Sequence, residues 1–196
     1  MKKLIKYLTP FQWAEILAVT GFTIYFALTD SETPVYYNII SSVAAVSGII
    51  CVVLCAAGKK SQYFWGTINI AAYVVVSWIS RLYGEVMLNA LYYLPSQFIG
   101  FYLWNKNYNN DNECVRSKKM KPLALTAMLA GVGAGIILYR LLLSALGGNS
   151  PLLDSTSTVF SVAANALMVA RYREQWTLWI IVDAVTVVMW AVRGDM

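Results

Sequence analysis

Seven long apolar stretches, separated by polar punctuation, constrain this chain more than any other feature. They run from about Pro10 to Thr29, Val35 to Ala57, Tyr63 to Ile79, Glu85 to Trp104, Pro122 to Leu146, Leu152 to Ala170 and Trp176 to Val192. At about 1.5 Å per helical residue, each reaches or nearly reaches the ~30 Å hydrocarbon thickness of a bilayer. Alternating ten-residue segments, the mark of a membrane barrel, are absent. The stretches are therefore expected to be helices, which satisfy their own backbone groups in lipid. Composition agrees: 59% of the 196 residues are hydrophobic and 13% charged, against about 45–50% and about 25% in soluble domains. The expected fold is an all-α membrane protein, one membrane domain over residues 1–196, with seven transmembrane helices.

Several chemistries are excluded at once. The chain has no histidine, so no imidazole base or ligand exists. Its three cysteines form no CxxC pair, which argues against zinc or iron–sulfur centres. The segment GKKS at 58–61 lacks the spaced glycine of a nucleotide-binding loop. The seventh stretch has no lysine for a retinal Schiff base, and no GxSxG is present. No cofactor, no metal and no enzymatic activity are expected. The first stretch contains Glu15 and is followed by no small-residue cleavage site, so it is expected to remain in the mature protein.

The basic residues set an expected orientation. Lys2, Lys3 and Lys6 precede the first stretch, and Lys59 and Lys60 follow the second. Lys106, Arg116, Lys118, Lys119 and Lys121 follow the fourth, and Arg171 and Arg173 follow the sixth. Threading seven helices puts these twelve of the fifteen Lys and Arg on one side, with only Arg81, Arg140 and Arg193 near the other. The positive-inside rule then places the N-terminus in the cytoplasm and the C-terminus outside. The net charge of +5 reads as membrane topology, and no nucleic-acid partner is expected. Residues 105–121, NKNYNNDNECVRSKKMK, read as a flexible, solvated cytoplasmic linker.

A shift of 114 residues lays the first three stretches on the last three without gaps. Gly21 meets Gly135, Tyr25 meets Tyr139, Ser47 meets Ser161, Trp65 meets Trp179, and Asn69 meets Asp183. This predicts a parallel repeat: a three-helix bundle over 10–79, an inverting helix over 82–104 and a second bundle over 122–193. Such a 3+1+3 plan is that of the SWEET transporters, and repeats of this kind flank a midplane solute site.

Polar residues recur at helical spacing inside the apolar stretches. Asn89, Tyr93, Gln97 and Trp104 fall on one face of the fourth, where Pro95 can kink the helix. Trp65, Asn69, Tyr73 and Ser77 form a stripe on the third, and Trp176, Trp179 and Asp183 one on the seventh. Ser161 and Asn165 are a turn apart on the sixth. Polar stripes in lipid must face protein or a wet cavity. They read either as a solute site or as interhelical hydrogen bonding. Two indoles beside a carboxylate suit a planar aromatic cation.

The segments LNALYYLPSQFIGFYLW, LLDSTSTVFSVAANALMVARYREQWTLWIIVDAVTVVMW and QYFWGTINIAAY together resemble the PnuC family of vitamin transporters. The resemblance covers the second to seventh stretches. It implies the 3+1+3 fold, facilitated diffusion of nicotinamide riboside, trapping by a cytoplasmic kinase, and a homotrimer. By motif position it implies Asn69, Asn89, Tyr93, Gln97, Trp176, Trp179 and Asp183 as substrate-binding groups, to which the stripes add Tyr73 and Asn165. Asn165 stands where the family's usual residue is Gln, and Gln175 where it is Asn. Some family members carry thiamine or riboflavin, which are the alternative substrates. A seven-helix membrane enzyme or sensor is the alternative of another class. It would need a nucleophile–base pair, a metal cluster or a chromophore lysine.

Overall fold

The computed structural model describes residues 8–145 and 151–193. Lys2, Lys3, Lys6, the predicted helix end at Leu146 and the C-terminus at Met196 lie outside the described residues, as does the side chain of Trp190. Seven helices are described: α1 (Pro10–Thr29), α2 (Val35–Ala56), α3 (Gln62–Ile79), α4, α5 (Pro122–Ala145), α6 (Pro151–Val169) and α7 (Gln175–Arg193). The fourth, α4, is continuous but has three parts: α-helical Tyr83–Leu88, a π-helical turn Asn89–Tyr93, and α-helical Leu94–Lys106. Helices α1, α2, α5 and α6 are long and apolar enough to cross a membrane, and α7 holds a shorter apolar run, Gln175–Met189.

Local chemistry explains the boundaries. Thr9 caps α1 in a reciprocal box with Gln12, and Pro10 occupies the first turn, where no N–H is needed. Helix α2 ends in a left-handed Gly58 with the Lys59 N–H bonded to Leu54 O. Helix α6 ends in the same way, with Arg171 left-handed and the Tyr172 N–H bonded to Leu167 O. The π turn in α4 follows from Pro95. Proline has no N–H for Leu91 O and its ring crowds that carbonyl. Upstream, the Leu94 N–H reaches back five residues to Asn89 O.

The chain forms two compact units, Met1–Arg116 and Ser117–Met196. In the first, α2 packs on α1 and α3, and α4 packs on α3. In the second, α6 packs on α5 and α7. Polar side chains are buried beside the apolar core, and many large apolar ones face outward. Ser47, Gln62, Ser77, Asn89, Ser96, Gln97, Ser155, Asn165 and Gln175 are buried, while Leu28, Leu91, Leu123 and Ile180 are exposed. A lipid-facing surface gains nothing from hiding leucines, whereas buried amides and hydroxyls can bond across helices.

Residues 105–121 differ from the flexible linker expected. Tyr108–Asn109 pairs antiparallel with Cys114–Val115, and Asn109 Oδ1 accepts the Asp111 N–H at 2.9 Å to close the turn. Val115 is buried and donates its N–H to Gly58 O at 2.9 Å. Lys59 pairs with Glu113 at 3.6 Å, and Lys60 Nζ reaches Asn105 Oδ1 at 2.7 Å. In the second unit, Lys118 exchanges backbone bonds with Arg171 O and the Arg173 N–H, and Glu174 Oε1 accepts the Met120 N–H at 3.0 Å. Asn and Asp, read as solvated loop residues, also build tight turns through their side chains. The exposed carbonyls of helix-ending turns then supply acceptors for the passing strand.

Candidate functional site

In the first unit Gln97 and Trp104 of the α4 stripe pack on α3 against Gly66 and Tyr63, which are not members of its predicted stripe. Gln97 is 6% exposed. Its Oε1 lies 2.6 Å from where a Cβ on Gly66 of α3 would sit, and Cys51 Sγ of α2 lies 3.1 Å from the same point. A bare glycine therefore makes the room that the Gln97 amide occupies. Cys51 Sγ also contacts Gln62 Oε1 at 3.9 Å. One turn along α4, Gly100 accepts the ring of Tyr63, which stands edge-on to Trp104 at 5.3 Å. Two donors in this cluster, Gln62 Nε2 and the Tyr63 hydroxyl, are buried without a hydrogen-bond partner. A buried unpaired donor is costly unless something fills it.

The other candidates in this unit divide. Asn69 Nδ2 donates to Ala44 O on α2 at 2.8 Å and lies 2.9 Å from a would-be Cβ on Gly48. Asn69 thus fastens α3 to α2 and keeps its amide oxygen for another partner. With Tyr73, which is 38% exposed, it lines a groove of about 500 Å³ together with Val19, Gly48 and Val76. Asn89 is buried, but its Nδ2 is engaged within its own helix, by Glu85 O at 2.9 Å and Glu85 Oε2 at 3.4 Å. The π turn inserts one residue between Asn89 and the rest of the stripe. Eight residues of unbroken α-helix would leave Asn89 about 80° from Gln97; the residue taken up by the π turn brings the two back toward one face, and both are buried. Tyr93 is half-buried, with its ring 5.2 Å from that of Tyr92.

In the second unit, Asn165 is 2% exposed on α6. Trp179 packs against the cluster of Ala164, Leu167 and Leu178, and Trp176 is half-buried. Asp183, one turn further along α7, is exposed and has neither a hydrogen bond nor an ion pair among the described residues. The preceding turn holds two buried acceptors without partners, Glu174 Oε2 and Gln175 Oε1.

Gln62 and Tyr63 were missed as candidates because they open α3 at its predicted boundary, where a polar residue reads as interfacial. The available signal was their spacing from Gly66, Asn69 and Tyr73 on one helix. Among the described residues no group of three metal-ligating side chains occurs. What the buried groups can do is hold a flat polar solute by hydrogen bonds and aromatic faces.

The family model described as nicotinamide mononucleotide transporter matches residues 38–196. The chain belongs to this family. The nicotinamide mononucleotide transporter family match spans α2 to α7 and the whole of the polar cluster. Relatives include the nicotinamide riboside transporter PnuC of Neisseria mucosa, 43% identical over 158 residues, 78% of this chain and 60% of that protein. PnuC of Haemophilus influenzae is 36% identical over 186 residues, 93% of this chain and 79% of that protein. A crystal structure of the vitamin B3 transporter PnuC aligns with a TM-score of 0.79 at 37% identity, covering 96% of this chain and 80% of that one. The alignment to the Neisseria relative thus spans less than two thirds of that protein's length. The PnuC resemblance read from the helical motifs is borne out by all three comparisons.

Proposed function

We propose that this member of the nicotinamide mononucleotide transporter family carries nicotinamide riboside across a membrane by facilitated diffusion and is not an enzyme. The observation that carries the reading is the likeness over 96% of the chain to the vitamin B3 transporter PnuC. The buried amides and aromatics support it chemically. Nicotinamide riboside is a flat pyridinium cation with a carboxamide and ribose hydroxyls. Asn69, Tyr73, Asn89, Tyr93 and Gln97 of the first unit, and Asn165, Trp176, Trp179 and Asp183 of the second, are its proposed binding groups. Thiamine and riboflavin are the competing cargoes. Titrating all three into the purified protein decides among them, and tightest binding of thiamine or riboflavin would refute the assignment.

The proposed architecture is the SWEET-like 3+1+3 repeat: bundles over 10–79 and 122–193 joined by the linking helix over 82–104. Three features support it. The helix starts of α1, α2 and α3 precede those of α5, α6 and α7 by 112, 116 and 113 residues. The turns after α2 and α6 share a left-handed residue and a five-residue backbone bond. Gln62 and Gln175 open α3 and α7 as buried glutamines, each with an unpartnered amide atom.

We further infer an inner-membrane location, a homotrimer, and coupling to a cytoplasmic kinase that phosphorylates the riboside and so prevents its return. The Lys and Arg bias puts the N-terminus in the cytoplasm and the C-terminus outside. A reporter fused after Met196 should be active only outside the cytoplasm, and cytoplasmic activity would overturn the orientation. Transport should equilibrate unmodified riboside across proteoliposomes and go no further. Uphill accumulation driven by an imposed sodium or proton gradient would contradict a passive carrier.

A further inference from the structure

The end of the first unit away from the Lys59–Lys60 turn carries a second polar concavity. The last turn of α1 and the first turns of α2 enclose a groove of about 500 Å³, lined by Thr23, Thr29, Asp30, Asn38, Ser41 and Ser42 with Phe26 as an apolar wall. Its size lies within the range of small-molecule sites. Its chemistry leans toward acceptors. The Thr23, Thr29 and Ser42 hydroxyls give their hydrogens to Val19 O, Tyr25 O and Asn38 O at 2.8, 2.9 and 2.6 Å. Asn38 Nδ2 points at Asp30 O at 3.5 Å. The three hydroxyls thus have only lone pairs left to offer, while Asn38 keeps its amide oxygen and one N–H. Ser41 Oγ is buried and has no partner.

Charge adds to this. Asp30 Oδ1 accepts the N–H groups of Glu32 and Thr33 at 3.0 and 3.1 Å. Hydrogen bonds from the Thr33 side chain and backbone hold its carboxyl below the usual carboxylate range, so it is ionised at neutral pH. The α1–α2 turn contains Asp30 and Glu32 and no Lys or Arg.

We propose that this groove is a docking site for a cationic, hydroxyl-bearing solute, which nicotinamide riboside occupies before it reaches the transport site. The inference rests on the proposed substrate. The pyridinium ring is drawn to Asp30 and can lie along Phe26, while ribose hydroxyls and the carboxamide N–H groups donate to the acceptor-lined wall. A neutral ring loses the charge term and keeps only the hydroxyls.

The test is equilibrium binding to the full chain in nanodiscs, at low and high salt. The probes are nicotinamide riboside and its uncharged dihydro form. The protein should show a tight class of binding and a weaker one. The weaker class should bind the cation several-fold more tightly than the neutral form, and that preference should fade as salt screens the carboxylate. Asp30→Asn should weaken it about fivefold or more, from the loss of one close charge pair in a wet site. Asparagine keeps the Oδ1 that closes the turn, so the fold is retained. Ser41→Ala, which removes a buried unpaired hydroxyl, gives a second variant that should weaken the same class. Trp179→Ala should leave it intact. Absence of the weaker class, its persistence unchanged in Asp30→Asn, or equal binding of the neutral form would overturn the groove. Loss of the tight class alone would instead overturn the transport reading and leave the groove standing.

Discussion

If the proposed cargo is right, folded Trp179→Ala protein should bind nicotinamide riboside about 5- to 150-fold more weakly than the parent protein. This is the expected result for removing one stacked aromatic face, at about 1–3 kcal/mol per base-sized ring. Trp179 is half-buried on α7 and packs against Ala164, Leu167 and Leu178, so part of the indole remains exposed. Gln97→Ala should cost a comparable amount, because a carboxamide or hydroxyl of the ligand then goes unpaired. Asp183→Asn separates charge from packing. Asp183 is exposed and unpaired among the described residues, so its removal should spare the fold. It should weaken the cation while leaving the uncharged dihydro form unchanged. Calorimetry with both ligands on the three variants, each checked by size-exclusion profile, is the measurement. Parental affinity in folded Trp179→Ala and Gln97→Ala would place binding elsewhere, and equal loss of both ligands in Asp183→Asn would make that carboxylate structural.

The second large effect is on stability. A methyl on Gly100 would come within 2.5 Å of the Tyr63 hydroxyl and Cζ. Tyr63 cannot yield, since its ring is 2% exposed and stands edge-on against Trp104, also 2% exposed. Gly100→Ala should therefore destabilise the protein by about 1–3 kcal/mol, the usual range for overpacking a filled core. Gly21→Ala is the control. Nothing lies within 4 Å of its would-be Cβ, and alanine is the better helix former by up to about 1 kcal/mol. Thermal unfolding of both variants in one detergent should show a lowered midpoint for Gly100→Ala and an equal or raised one for Gly21→Ala. If Gly100→Ala melts with the parent, α3 and α4 do not pack as tightly as described. Gly66 is a milder case, because the atom it faces is the mobile end of Gln97. Filling that space moves the amide before it strains the backbone.

The helices themselves were legible in the sequence. The predicted first stretch and α1 share both bounds, and the starts of α2 and α5 coincide with those predicted. Hydropathy alone suffices there because lipid offers the backbone no other partner than itself, so a long apolar run has one solution. Family membership was legible for a related reason: amides and a carboxylate inside apolar helices are costly in a membrane unless they face a partner or a wet cavity.

The tertiary structure decided what each polar residue does. Asn69, Asn89 and Gln97 look alike as amides in apolar helices. Yet one bonds Ala44 O across to α2, one is bound to Glu85 within its own helix, and one fills the space over Gly66. The Asn-rich segment that composition marks as flexible is pinned through Val115 to Gly58 and through Lys118 to Arg171. The π turn before Pro95 takes up one residue and so keeps Asn89 and Gln97, eight apart, near one buried face, which hydropathy alone does not reveal. Periodicity along one helix fixes which side chains share a side. It carries no information about which atom on a neighbouring helix stands within three ångströms, and a hydrogen bond is made or lost over that distance.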